Sequence, residues 1–252
     1  MTHEERVELA RELTAALLRR HGTDAIVAVG VHGSVARADD GDEADLDLAV
    51  VTARPDVEVP DRFLRHRGTV VDLGAITADA YLQEAGHIGP AWPLAADQYV
   101  NHLALHDPGE FFHKLRHVHE AAVEQSPPAA FRAAAGVDLV QLVSWEGKAR
   151  DAELAGDLAV ASLAVKEAAV LAMLVVGLHT RTAYRNLAHA VRATAVTEAA
   201  GPGFPAAYRR LLDPTVEPAG QVLALGRVLD ALLDLARREG IPFDADDLDA
   251  FL

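Results

Sequence analysis

Apolar residues recur with helical spacing at Leu9, Ala10, Leu13, Leu17 and Leu18, which predicts a helix over residues 4–20 with one apolar stripe. His21-Gly22 closes it, glycine being the usual left-handed stop. The pattern then changes. Ala25 to Val31 is short and almost wholly apolar, as a buried strand requires, and His32-Gly33-Ser34 breaks it. Two later runs, 46–51 and 69–73, are strand-like, yet each sets one carboxylate, Asp47 or Asp72, among β-formers. From Trp92 to His119 the pattern is mixed, with Asp107-Pro108-Gly109 as a turn. Ser126-Pro127-Pro128 is the clearest boundary. Beyond it, helical periodicity covers 131–154, 158–180, 182–199 and 222–239, separated by breaks such as Gly201-Pro202-Gly203. These patterns predict an α+β protein, with a mixed sheet and flanking helices over 1–125 and a helical bundle over 126–252.

Composition narrows the chemistry. The 252 residues include 38 acidic against 23 basic side chains, a net charge of −15, which argues against a nucleic-acid partner. The absence of cysteine removes thiol catalysis and zinc ribbons. Met1-Thr2-His3-Glu4-Glu5 lacks the order of a signal peptide. Leu158 to Leu178 is long enough to span a bilayer but carries Lys166 and Glu167 at its middle, so it reads as a core helix and not a membrane span. The expectation is a soluble cytoplasmic protein. Only three of the cations are lysines, Lys114, Lys148 and Lys166, so lysine is not the default positive charge here.

The residues that carry chemistry are Gly33-Ser34-Val35-Ala36-Arg37, then Asp45-Leu46-Asp47, then Asp72. A Gly-Ser pair at a strand end opening a helix places Ser34 and backbone amides where they cradle a phosphate. Asp45 and Asp47, two apart on a strand, project from one face, and Asp72 lies on a strand able to pair beside it. Three converging carboxylates need cations between them, and hard oxygen ligands suit Mg²⁺. The set reads as a metal-assisted phosphoryl or nucleotidyl transfer site. His113, His117 and His119 with Glu120 have a helical metal spacing but stand outside this constellation, and Trp92, Trp145 and Tyr99 read as packing.

The motif Gly33-Ser34, Arg37, Asp45-x-Asp47 with a later strand Asp72 resembles the signature of DNA polymerase beta-like nucleotidyltransferases. More closely, the chain resembles the kanamycin nucleotidyltransferase (aminoglycoside 4′-nucleotidyltransferase) family through Glu4-Glu5-Arg6, Gly30 to Ser34, Trp92-Pro93-Leu94, Gly147-Lys148 and Gly177-Leu178-His179. The resemblance implies a nucleotidyltransferase catalytic domain over 1–125, a homodimer, and transfer of a nucleoside monophosphate from a nucleoside triphosphate, with ATP expected, to an antibiotic hydroxyl. It further implies that Gly33, Ser34, Arg37 and Lys148 contact the triphosphate, and that Asp45, Asp47 and Asp72 hold magnesium.

The chain also departs from that family. The glutamate that the relatives carry one turn before the lysine, as general base, falls here on Ser144, which cannot take up a proton at neutral pH. Glu146 is about 200° around the helix from Ser144. A further acidic pair falls on Val140 and Gln141, and the acid before Trp92-Pro93 is Ala91. The acceptor half is therefore less acidic than a polycation prefers. Two alternatives stand beside small-molecule modification: a protein-modifying nucleotidyltransferase of the toxin–antitoxin kind, and a catalytically impaired homologue that binds nucleotide or ligand.

Overall fold

The computed structural model describes residues 1–59 and 61–243 and contains two compact units. The first comprises Met1–His87 and Ala95–Gln125, the second Ile88–Leu94 and Ser126 onward. The first unit opens with helix α1 (His3–His21), started by a capping box in which the Thr2 hydroxyl accepts from the Glu5 amide and the Glu5 carboxylate accepts from the Thr2 amide. Strand β1 (Ile26–His32) follows, then a helix of five residues, α2 (Gly33–Arg37), and strand β2 (Leu46–Thr52). Strands β3 (Arg62–His66) and β4 (Thr69–Thr77) form a hairpin, and helix α3 (Ala78–Ala85) leaves β4 directly. After the short helices α4 (Trp92–Ala95) and α5 (Asp97–Val100) come strand β5 (Leu103–His106) and helix α6 (Phe111–Gln125).

The five strands form one mixed sheet in the order β3-β4-β2-β1-β5, with β2 and β4 parallel and every other pair antiparallel. Alternation along the strands divides the core in two. Val29, Val31, Leu46, Leu48, Val50, Val71 and Leu73 face α1, meeting Val7, Leu9 and Ala10. The opposite face presents Ala28, Ala49 and Val51 to Tyr81 and Ala85 of α3 and to Phe111, Phe112 and Leu115 of α6. Small residues on that face let α6 approach. A Cβ added at Gly30 would stand 2.7 Å from the Phe112 ring. Asp107 does more than turn the chain, since its carboxylate accepts from the Phe111 and Phe112 amides and starts α6. Strands β3 and β5 lie in regions whose apolar pattern was too short or too mixed to announce them.

In the second unit, α7 (Pro128–Leu154) and α8 (Leu158–Thr180) lie side by side, and α11 (Pro218–Glu239) rests against both. Buried alanines on α7 (Ala134, Ala135, Ala149) and α8 (Ala161, Ala164, Ala168, Ala172) allow close approach. Among the described residues α8 alone is long and apolar enough to cross a membrane, with a mean hydropathy of 2.0. Its buried face packs into this unit while Lys166 and Glu167 point outward. The helix expected over 182–199 is only α9 (Leu187–Thr194). Arg181 ends α8 in the left-handed conformation, Tyr184 turns into the core with its amide on Pro93 O at 2.6 Å, and a new helix starts only where Asn186 caps the His189 amide. Helix α10 (Phe204–Leu212), which the periodicity does not predict, packs on α11.

Candidate functional site

Strand register places four residues in a row across the sheet. His32 on β1 is opposite Asp47 on β2, Asp47 is opposite Asp72 on β4, and Asp72 is opposite Phe63 on β3. Directly opposed residues share a face, and here it is the face away from α1, because their neighbours Val31, Leu46, Leu48, Val71 and Leu73 all point toward α1. Asp45 differs from expectation. It is exposed and lies just before β2 begins, so it reaches the group from a loop and not from the strand.

The carboxylates sense one another. Burial, then Asp45 and Asp72, push the Asp47 carboxyl up to about 7, with Arg37 opposing. Burial, Asp61 and Asp45 likewise raise Asp72. Among the described residues no three His, Asp or Glu side chains are gathered into a ready metal cage. Asp45, Asp47 and Asp72 instead interact through space as like charges. A set of hard oxygen donors in which Asp47 and Asp72 have raised proton affinity beside like charges is one that a divalent cation relieves, so the donor chemistry fits magnesium.

Gly33 is held tightly against this group. Its φ of +70° lies in the region that side chains disfavour, and an added Cβ would stand 2.3 Å from Asp47 Oδ2. Ser34 follows on the first turn of α2, half-buried. Arg37 lies near enough to Asp47 to lower its proton affinity, but it is itself ion-paired to Asp97 and, at 3.2 Å, to Asp39. Asp97 in turn accepts from Asn101 Nδ2 at 2.7 Å. At the β1 end of the row, burial lowers the proton affinity of His32, which meets His102 edge-on, with ring centroids 6.2 Å apart. His102 stacks on Phe112 and is pushed down to about 3 by burial.

The loop that carries Asp45 is anchored from α1. Arg6, 1% exposed, donates to Asp40 Oδ2 at 2.8 Å, to the Asp42 carbonyl at 2.6 Å and to the Ala44 carbonyl at 3.1 Å. His3 Nδ1 lies 2.6 Å from Asp40 Oδ1. Burial alone would raise the Asp40 carboxyl, but the hydrogen bonds from His3 and Arg6 hold it below its ordinary range. Neither Arg6 nor Asp97 stands out in the sequence pattern. A buried arginine is legible only once its partners are.

In the second unit Lys148 is exposed on α7, its ammonium 4.0 Å from the centre of the Trp145 ring. Ser144, Val140 and Gln141 are exposed, whereas Glu146 is buried and ion-paired to Arg150. Thus the face of α7 bearing Ser144 has no glutamate in its place. Asp138, on the buried side of the same helix, is pushed up to about 7 by burial, and its Oδ2 has no hydrogen-bond partner among the described residues. His119 points inward, its ring tilted against Tyr99 and its Nδ1 2.9 Å from Ala85 O, while His113 and His117 are exposed, so among the described residues the histidines of α6 form no cluster.

No protein-family model matches the chain. Two curated proteins named aminoglycoside nucleotidyltransferase (4′), from Staphylococcus aureus and from a Bacillus species, are each 28% identical over 189 residues, covering 75% of this chain and 72% of theirs. Among solved structures, a nucleotidyltransferase-like protein from Exiguobacterium sibiricum has the same fold, with a TM-score of 0.55 at 13% identity over 91% of this chain and 76% of that one. The chain is thus similar in sequence to aminoglycoside 4′-nucleotidyltransferases, which supports an enzyme of that kind, and its fold carries the Gly33-Ser34 turn and the carboxylate row on one sheet face.

Proposed function

We propose that the protein transfers a nucleoside monophosphate from MgATP, or another nucleoside triphosphate, to a hydroxyl of an aminoglycoside-type or other sugar-bearing acceptor. The observation that carries this reading is the register of Asp47 beside Asp72, with Gly33 pressed on Asp47. In it, Asp45, Asp47 and Asp72 hold magnesium, and Ser34, Arg37 and Lys148 bind the triphosphate. The metal would supply charge neutralisation at the phosphates. The acceptor oxygen attacks the α-phosphorus in line, the bond from that phosphorus to the bridging oxygen breaks, and pyrophosphate leaves with the electron pair. Asp72 takes the hydroxyl proton in this reading, a role that Ser144 cannot fill. Arg37 moves from Asp97 toward phosphate in this account, and Lys148 supplies a compact mobile charge.

Assembly as a homodimer is part of the reading, supported by exposed apolar residues Val137, Val140 and Val143 on α7 and Val160 and Leu163 on α8. Dependence on a nucleoside triphosphate supports a cytoplasmic setting. The test is pyrophosphate release with Mg²⁺, each of four nucleoside triphosphates, and a panel of aminoglycosides and neutral sugar antibiotics. Asp45→Asn serves as the blank. Acceptor-dependent release that vanishes in the blank supports the proposal. Release with neutral acceptors alone redirects the substrate class, and label on a partner protein in lysate favours protein modification. Nucleotide binding with no transfer to any acceptor favours the ligand-binding homologue, for which the missing glutamate at Ser144 is the specific observation.

A further inference from the structure

Phe63 is 74% exposed, an unusual state for a phenylalanine, on a strand whose neighbour Leu64 packs inward toward α1. It is also directly opposite Asp72 and therefore two strands, about 10 Å, from Asp47 on the same face. The surface beside it is open. Val70 is 44% exposed on that face, and a Cβ added at Gly74 would meet nothing within 4 Å.

Sheet order decides what this surface faces. Gly33 and Ser34 follow β1, which flanks β2 on one side, whereas β4 and β3 flank it on the other. In an in-line transfer the leaving pyrophosphate and the attacking oxygen lie on opposite sides of the α-phosphorus. With the triphosphate on the Gly33-Ser34 side of Asp47, as the function proposed above requires, the acceptor enters over Asp72 and Phe63. We infer that Phe63 is a specificity residue for the acceptor: its ring is a platform for the C–H face of the sugar ring whose hydroxyl is modified. The distance fits, because a sugar ring with its hydroxyl between Asp47 and Asp72 extends over the next strand. Recognition through a ring face asks less positive charge of the acceptor than an acidic pocket does, in keeping with Val140, Gln141 and Ser144 on α7.

The test uses the full chain with kanamycin as the acceptor probe. Phe63→Ala is expected to raise the KM for kanamycin about five- to tenfold while leaving the KM for MgATP unchanged, and Phe63→Trp to restore it. A second measurement does not require turnover: the ring resonances of labelled phenylalanine, with Phe63 assigned by its loss in Phe63→Ala, are followed as kanamycin is added with Mg²⁺ and a non-hydrolysable ATP analogue. Selective shifts of the Phe63 signals support the inference. Unmoved Phe63 signals at saturating kanamycin, or an alanine variant with wild-type KM, overturn it. Absence of pyrophosphate release by the wild-type protein with any acceptor counts against the proposed function instead, and leaves the resonance experiment to decide on Phe63.

Discussion

Gly33 and Asp47 are in contact so close that no side chain fits between them: a Cβ on Gly33 would lie 2.3 Å from Asp47 Oδ2. The contact joins the turn after β1 to the carboxylate at the head of β2, which are the phosphate-binding and metal-binding halves of the proposed site.

Gly33→Ala tests that contact. The methyl group displaces the carboxylate, and φ of +70° adds backbone strain, at a cost of about 1–2 kcal/mol. We expect a folded protein with a slightly lower melting temperature and at least about 100-fold lower transfer activity, since a 1 Å misplacement at a reacting centre has that effect. Wild-type kcat in this variant would show that the position of Asp47 is not critical.

Arg6 is the anchor of the loop that delivers Asp45. Replacing it with alanine leaves Asp40 buried without its guanidinium, and loss of one partner of a buried pair costs about 3–5 kcal/mol. Denaturant unfolding of Arg6→Ala measures this directly. A loss below about 1 kcal/mol would mean that His3 alone satisfies Asp40.

Asp138 predicts a pH dependence. Its folded proton affinity is raised from 3.8 to about 7 by burial, so the folded state holds a proton that the unfolded state releases. The contribution to stability is full below pH 3.8 and is lost as pH rises toward 7. Between pH 5 and 8 the loss is on the order of 2 kcal/mol. Asp47 contributes in the same direction, so Asp138→Asn flattens the profile in part. A stability that rises with pH over this range, or a profile unchanged in Asp138→Asn, contradicts this account.

Ser144 offers a gain-of-function test. Restoring a carboxylate there with Ser144→Glu places a base on the same face of α7 as Lys148, one turn before it. With an aminoglycoside acceptor, kcat/KM should rise about tenfold or more. An unchanged kcat/KM in Ser144→Glu would contradict this prediction and show that a base on this face of α7 does not reach the acceptor.

Much of the first unit was readable because period-2 and period-3.6 patterns are strong where a chain is buried. The strand ending at His32, the carboxylate at Asp47 and its counterpart at Asp72 all followed from β-formers interrupted by an acid. Strand β3 was not readable, because an edge strand with one inward residue, Leu64, has no alternation to detect. Asp45 was assigned to a strand because spacing of two implies one face, but the β2 ladder begins only at Leu46. The helix over 182–199 was overextended because Tyr184 keeps helical spacing while its amide is committed to Pro93. Arg6, Asp97 and Phe63 gave no signal in the sequence. Their significance comes from partners 34 or more residues away or from register across the sheet.

The most direct measurement is mass analysis of an aminoglycoside incubated with the wild-type protein and MgATP, beside Asp45→Asn. An adduct of one nucleoside monophosphate on a hydroxyl is expected, with one equivalent of pyrophosphate released and neither product in the variant. A phosphate adduct with ADP released, or an adduct formed equally by Asp45→Asn, would contradict it.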